Sequence, residues 1–589
     1  MEAEQLWKAC SDGNVGKVRR LLQNSQTNIN WQDYENSTTP FYIACQEGHI
    51  EIVKLLLNDK RVSINRADSY DCTPFFIACH DGQIEVVELL LNDKRVDINQ
   101  ADNSGWTPFL IACQEGQIEI VRLLLNDNRV AVDQAMNDGW TSFWIACYNG
   151  YIEIVKLLLK DHRVDINKAD NSGWTPFSIA CQEGQIEIVK LLLNDNRVNI
   201  NKGNNNNKTP FYIACQKGHI EIVKLLLNNQ RVDINQARDD GYTPFYVACN
   251  EGQVEVVRLL LNNQRVEINK GNNYDATPFY TACKRRQIEI VKLLLKNCGV
   301  DINKANNNNK TPFYIACQKG HIEIVKLLLN DKRVDINKAT NGGSTVFSIA
   351  CYYEHIRIVK LLINDERIDI NQADNSGWTP FLIACQEGHI EIVKLLLNDQ
   401  RVDINKVTNY GQTPLYVACK KGNIEIVKLL LNNDKIDVNK AMNDGWTPFL
   451  IACQKGHIEV VKLFLNDQRV DINQVTNGGS TPFYIACCYG YIEIVKLLLN
   501  DKRVDINKAD KNGWTPFSIV CYYGDIRIVK YLSESGREID INKKDNSGKT
   551  ALDWAREEEE MDIVKLIDSF LRKEFGIFIY FYFYFSMYT

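Results

Sequence analysis

Two residue types that can do chemistry recur through this sequence at one spacing. Of the 19 cysteines, Cys10 and then Cys45, Cys79, Cys113 and onward to Cys521 fall at one position of a repeat whose period is 34 residues. Structural zinc needs clustered ligands such as C-x2-C, and the sequence has none. Equivalent cysteines one period apart lie beyond the roughly 7 Å Cα limit of a disulfide. The column reads as a small buried residue that lets helices approach closely, and reduced thiols fit an intracellular protein. His49, His219, His321, His355, His389 and His457 likewise share one position. They have no partner ligands, so they read as hydrogen-bonding groups at a helix end. Walker A, G-x-S-x-G, kinase catalytic and H-E-x-x-H signatures are all absent from the sequence. Carboxylates and lysines repeat identically from copy to copy, as scaffolding does and active sites do not. We expect no catalysis, no cofactor and no metal.

The elements that position these residues are copies of one unit, seen in Thr379 to Lys406: TPFLIACQEGHIEIVKLLLNDQRVDINK. Thr379 is a good N-cap, and Pro380 suits the first helical position. Phe381, Ile383, Ala384 and Cys385 form a short apolar face, and Gly388 ends the helix. The second helix runs from Ile390 to about Asn398. It is apolar nearly all round and is expected to be covered on most sides, with Glu391 and Lys394 on one outward edge. An extended D-Q-R-V-D-I-N segment and a polar turn lead to the next Thr-Pro. One unit cannot bury its own apolar surface, so neighbours must stack. Two copies are identical over Asn204 to Asn228 and Asn306 to Asn330. Arg286 and Glu354 stand where the helix-ending Gly belongs, so those copies are expected to be weak points.

The unit resembles the ankyrin repeat, a β-turn followed by two antiparallel helices. The T-P-L-H-x-A start appears as T-P-F-Y-I-A (Thr209 to Ala214), and the G-H pair survives at Gly48-His49, Gly218-His219, Gly320-His321, Gly388-His389 and Gly456-His457. The resemblance covers roughly residues 1 to 573. It implies an all-α repeat solenoid of stacked helix-turn-helix units with β-hairpin loops. Here the unit has 34 residues against the family's 33, with the extra one after the second helix, and Tyr mostly replaces the family His (Tyr42, Tyr212, Tyr314). On this reading residues 1–38 are an N-terminal capping repeat and first hairpin. Leu6, Trp7, Ala9 and Cys10 lie on its first helix, and Val15, Val18, Leu21 and Leu22 face inward. Residues 39–549 are tandem repeats, 550–573 a C-terminal cap, and 574–589 an apolar aromatic tail.

The resemblance also implies where partners bind: the residue before Thr and the two before Gly line the family's concave face. Carried over, these are Trp106, Trp140, Trp174, Tyr242, Trp378, Trp446 and Trp514, with Tyr148, Tyr352, Tyr353, Tyr489, Tyr522 and Tyr523. Trp106, Trp140 and Trp174 fall in consecutive copies and are expected to form one aromatic stripe. Either they are recognition anchors or each packs on its neighbouring hairpin. Lys284, Arg285 and Arg286, with Lys420 and Lys421, are basic clusters open to an acidic partner or simply solvated.

Net charge is −6, without the basic excess of a nucleic-acid binder. The start shows no signal peptide, and no membrane span is expected. The tail has too short an apolar run to span. It reads as a membrane-touching or partner-binding peptide, a segment packed on the last repeat, or a gene-model extension. The implied function is a monomeric, non-enzymatic scaffold in the cytoplasm or nucleus that binds other proteins. The alternative is a membrane-peripheral adaptor anchored by the tail.

Overall fold

A computed structural model describes residues 1–571. They form two compact units, Met1–Asn306 and a second from Asn307 onward, both built from helix pairs. In the first unit the pairs begin with Glu2–Ser11 and Val15–Leu22 and end with Pro278–Lys284 and Ile288–Lys296. In the second they run from Pro312–Gln318 and Ile322–Asn330 to Ala551–Glu557 and a helix over 561–571. Within each unit, first helices pack on the first helices of adjacent repeats and second helices form the layer behind.

Local chemistry fixes each pair. Thr39 sits in extended backbone and its hydroxyl accepts from the Tyr42 amide, a bond repeated from Thr73 through Thr515. The capping threonines are buried, so each satisfies a donor that water cannot reach. Gly388 ends its helix at φ +88°, its amide bonding to Ala384 O. A Cβ there would also come within 3.3 Å of the Asn423 side chain. Behind the cap lies a column of buried phenylalanines, from Phe41 to Phe517, with the cysteine column beside it. All 19 thiols are free. Burial pushes the Cys10 thiol up to about 12 and its equivalents higher still, so these thiols stay protonated and unreactive.

Within each unit, three hydrogen-bonded seams recur between adjacent repeats. The first lies after the second helix, where Asp93 and Arg95 stand two residues apart. Asp93 holds the Arg95 guanidinium in a bidentate grip, and Arg95 Nη2 donates to Leu57 O of the preceding repeat at 2.9 Å. Arg129, Arg163 and Arg197 do the same to Leu91, Leu125 and Leu159. Where Asn229 and Asn263 replace the aspartate, Arg231 and Arg265 donate to Val198 O and Val232 O instead, so the carboxylate aims the arginine. The second seam is an asparagine ladder. Asn99 Nδ2 donates to Arg129 O at 2.8 Å, and Asn99 Oδ1 accepts from the Ala131 amide at 2.9 Å. The third runs along the hairpin tips, where the Asn171 amide donates to Asp138 O and its side chain to Asn137 O. Where the side chains are the same, the 34-residue period thus returns the same donors to the same acceptors.

The stacked helix pairs of each unit are the architecture expected, but some details differ. The hairpin loops are turns, and no strand forms among the described residues. At one hairpin the two arms share only Asp102 N to Trp106 O and Gly105 N to Asp102 O, too few bonds for a ladder. The segment after the second helix is likewise turn, not extended strand. The second helix is less covered than its composition suggests. Ile392, Val393 and Leu396 are fully buried, but the opening isoleucine is often exposed, as at Ile84 and Ile526 (both 42%). In the N-terminal repeat Val18 is buried, while Val15, Leu21 and Leu22 are only half-buried.

Arg286 and Glu354 do adopt left-handed backbone, at φ 61° and 58°. Their helices close as elsewhere, with the Gln287 amide on Ala282 O and that of His355 on Ala350 O, so the strain is carried without relief. We predict that Arg286→Gly and Glu354→Gly each stabilise their repeats by about 1 kcal/mol. Native-state hydrogen exchange should show slower opening of these repeats in the variants. Equal protection before and after substitution would discard the idea.

Candidate partner-binding site

The hairpin sets the place of each tryptophan that precedes a threonine. Asp102 Oδ1 accepts from the Ser104 and Trp106 amides. Asp170 does so from Ser172 and Trp174, at 2.9 and 2.7 Å. The turn fixes the tryptophan backbone and leaves its ring at the mouth of the first helix. Trp106, Trp140, Trp174, Trp378, Trp446, Trp514 and Tyr242 are all half-buried there. At the other end of the first helix, Tyr148, Tyr352, Tyr353, Tyr489 and Tyr523 are exposed, and Tyr522 is half-buried.

Among the described residues no ring contact joins Trp106, Trp140 and Trp174, so the expected stripe is not a stack. Equivalent residues lie a full helix layer apart, about 8–10 Å, beyond the roughly 4.5–7 Å of aromatic pairing. Stacking runs instead at i, i+4 spacing from the hairpin residue Trp140 onto the helix Ser142–Asn149. Trp140 lies on Trp144 (4.7 Å, 9° between planes) and Trp144 on Tyr148 (5.4 Å, 12°). Trp144 Nε1 donates to Trp174 O of the next repeat at 3.1 Å. An open pocket of about 410 Å³ is lined by Trp140, Trp144, Tyr148 and Trp174, with Asp138 and Asp170 on the hairpins.

A second cluster forms near the end of the described chain. Trp514 lies 4.6 Å from Trp554 and 5.2 Å from Tyr522, which meets Tyr523 edge-on. Lys549 sits over the Trp554 ring at 3.9 Å. Elsewhere Tyr242 stacks on Tyr246 beneath Arg238, Tyr352 meets Tyr353, and Tyr489 stacks on Tyr491. Trp106, Trp378 and Trp446 have no ring partner among the described residues. The sequence reading missed Trp144 and Trp554. Each stands at a position that is core in other repeats, and the signal for Trp144 was an indole where most copies carry Tyr, Leu or Ser.

The histidines are structural. His219 Nε2 meets Gln182 O at 2.8 Å and His389 Nε2 meets Tyr352 O at 2.9 Å. Glutamine does the same work at Gln83 and Gln253. Each satisfies a carbonyl at the end of the preceding repeat's first helix. Among the described residues no cluster of His, Cys, Asp or Glu is placed to hold a metal, and no helix is long and apolar enough to cross a membrane. Of the basic clusters, Arg285 reaches Asn250, while Lys420 and Lys421 are exposed. The tail at 574–589 lies outside the described residues.

Within each unit, helix pairs stacked in sequence order, joined by tight hairpins and bonded between adjacent repeats, define a helical repeat protein. The sequence matches the family described as Ankyrin repeats (3 copies) in overlapping segments: residues 6–102, 94–170, 162–238, 230–306, 298–374, 347–442, 434–510 and 502–570. The chain belongs to the ankyrin-repeat family, whose members bind other proteins. A search of curated proteins finds no match to the chain.

Proposed function

We propose that the chain is a non-enzymatic intracellular scaffold that binds partner proteins through its hairpin tips and the exposed ends of its first helices. The observation that carries this reading is the gathering of partly exposed indole and phenol rings at those positions, above all Trp140, Tyr148 and Trp174, set around the buried Trp144 at one pocket. Large rings with few rotatable bonds give contact area at low entropic cost, and they dominate binding energy at interfaces. Free, buried thiols agree with a reducing compartment.

The test is affinity capture from cells with the intact chain and with Trp106→Ala, Trp140→Ala and Trp174→Ala combined. Circular dichroism should show the fold retained, because all three side chains are half-exposed. Specific partners should be lost or weakened by about tenfold or more. Retention of all partners by a folded variant would assign the tryptophans to packing and move the search to Tyr352, Tyr353, Tyr522 and Tyr523.

A further inference from the structure

The pocket at Trp140 combines an aromatic wall with two carboxylates. Its aromatic wall is a set of three nearly parallel rings, Trp140, Trp144 and Tyr148. Trp174 lines the same pocket without touching those rings, leaving a gap beside the stack. Two carboxylates border it. Asp138 is exposed, and neither Asp138 nor Asp170 has an ion-pair partner among the described residues.

Asp170 holds the more telling feature. Both of its turn bonds fall on Oδ1, and Oδ2 takes no hydrogen bond among the described residues, as also at Asp102, Asp374 and Asp510; of these, Asp170 is the one that lines the pocket with a second carboxylate and this aromatic wall. In two other repeats the equivalent oxygen is claimed by an aromatic donor: Tyr42 Oη reaches Asp68 Oδ2 at 3.0 Å, and Trp554 Nε1 reaches Asp545 Oδ2 at 2.8 Å. Here Trp144 occupies the Tyr42 position, but its indole N–H goes to Trp174 O. The acceptor is left free on a residue that lines the pocket. Burial, helped by the nearby Asp138 charge, raises the Asp170 carboxyl above its ordinary range against the pull of the Trp174 and Ser172 amides, so a cation at this point would be welcome.

We propose that this pocket takes an arginine side chain of the partner protein, its guanidinium stacked on a ring face left open at an end of the Trp140–Trp144–Tyr148 series and its N–H groups directed to Asp170 Oδ2 and Asp138. A guanidinium is planar, stacks on aromatic faces and donates in a fixed fork to carboxylate, whereas a lysine ammonium is a compact, strongly hydrated point charge. Parallel rings beside an unclaimed carboxylate oxygen match the first and not the second. The proposal rests on the scaffold reading above and specifies the partner chemistry at one of its sites.

The probe is a Gly-Ser decapeptide with one central arginine, titrated into the full chain carrying 5-fluorotryptophan, with 19F resonances assigned by single Trp→Phe variants. The expected result is saturable shifts confined to Trp140, Trp144 and Trp174. Replacing arginine by citrulline, which keeps the shape and removes the charge, should weaken binding about tenfold. Asp138→Asn and Asp170→Asn should each weaken it severalfold. The second keeps the turn, because Asn204 makes the same two turn bonds with its Oδ1. The proposal is overturned if the arginine peptide gives no saturable shift, if citrulline binds equally well, or if a lysine or trimethyl-lysine peptide binds more tightly. Failure of the peptide while the triple tryptophan variant still loses its cellular partners would remove this inference and leave the scaffold reading standing.

Discussion

Phe245→Ala should lower stability by about 3–5 kcal/mol and open the array locally rather than throughout. Phe245 is 2% exposed, on the helix Pro244–Glu251, which packs between the first helices of the repeats before and after it. Truncation removes a fully buried ring and leaves a cavity that partial relaxation does not fill. In an array whose energy is a sum of repeat and nearest-neighbour terms, that loss falls on one repeat and its two interfaces. Hydrogen exchange should rise over residues 210–296 and stay near its original level in the N-terminal repeats. A loss under about 1 kcal/mol, or an even rise in exchange across the chain, would contradict this account.

Acid should dismantle the seams over a narrow range. Asp59, Asp93, Asp127, Asp161 and Asp195 in the first unit, and Asp331, Asp365, Asp399, Asp467 and Asp501 in the second, are each held below the ordinary aspartate range, chiefly by hydrogen bonds from the arginine two residues on. A carboxylate with a depressed folded pKa lends stability that is present above its unfolded value of about 4 and is lost as pH falls through the folded value. The arginines are largely solvated, so each pair contributes no more than about 0.5 kcal/mol, and these ten together at most about 5 kcal/mol. The urea midpoint should be flat from pH 7 to about 5 and fall steeply toward pH 3. Changing Asp93, Asp127 and Asp195 to Asn together should lower the midpoint at pH 7 and flatten the acid limb. An unchanged acid limb in that variant would show that other carboxylates govern the transition.

The helices were legible because their signals are local and repeated. Thr379, Pro380 and Gly388 mark one helix by cap, first turn and stop, and the structure places its ends there. The seams were not legible. Asp93, Arg95 and Asn99 look like solvated polar residues, and their role depends on a carbonyl or amide about 30 to 38 positions away, which no local pattern reveals. The candidate site was half legible. Repeat position located Trp140, Tyr148 and Trp174, but counting by repeat suggested a column running across repeats. The rings in fact associate from the hairpin onto one helix, through Trp144, a residue that the pattern assigned to the core. Turn geometry escaped for a related reason: the Asx bonds of Asp102 replace the strand pairing that a hairpin suggests.

The sameness of the seams has a consequence for how the chain finds its fold. The stretch from Asn204 to Asn228 recurs intact as Asn306 to Asn330, and the arginine and asparagine bonds are alike at many junctions. A repeat arriving from elsewhere in the chain, or from another molecule, offers nearly the same docking surface as the proper neighbour. Specific recognition therefore cannot choose between them. The choice falls to tether length: the short connecting segment holds the next repeat at a high effective concentration, and distant copies compete at a steep disadvantage. Emergence from the ribosome in order strengthens that preference. Released from denaturant all at once, at high concentration, the same chains lose that ordering, and their repeats are free to mispair by whole periods and to link molecule to molecule.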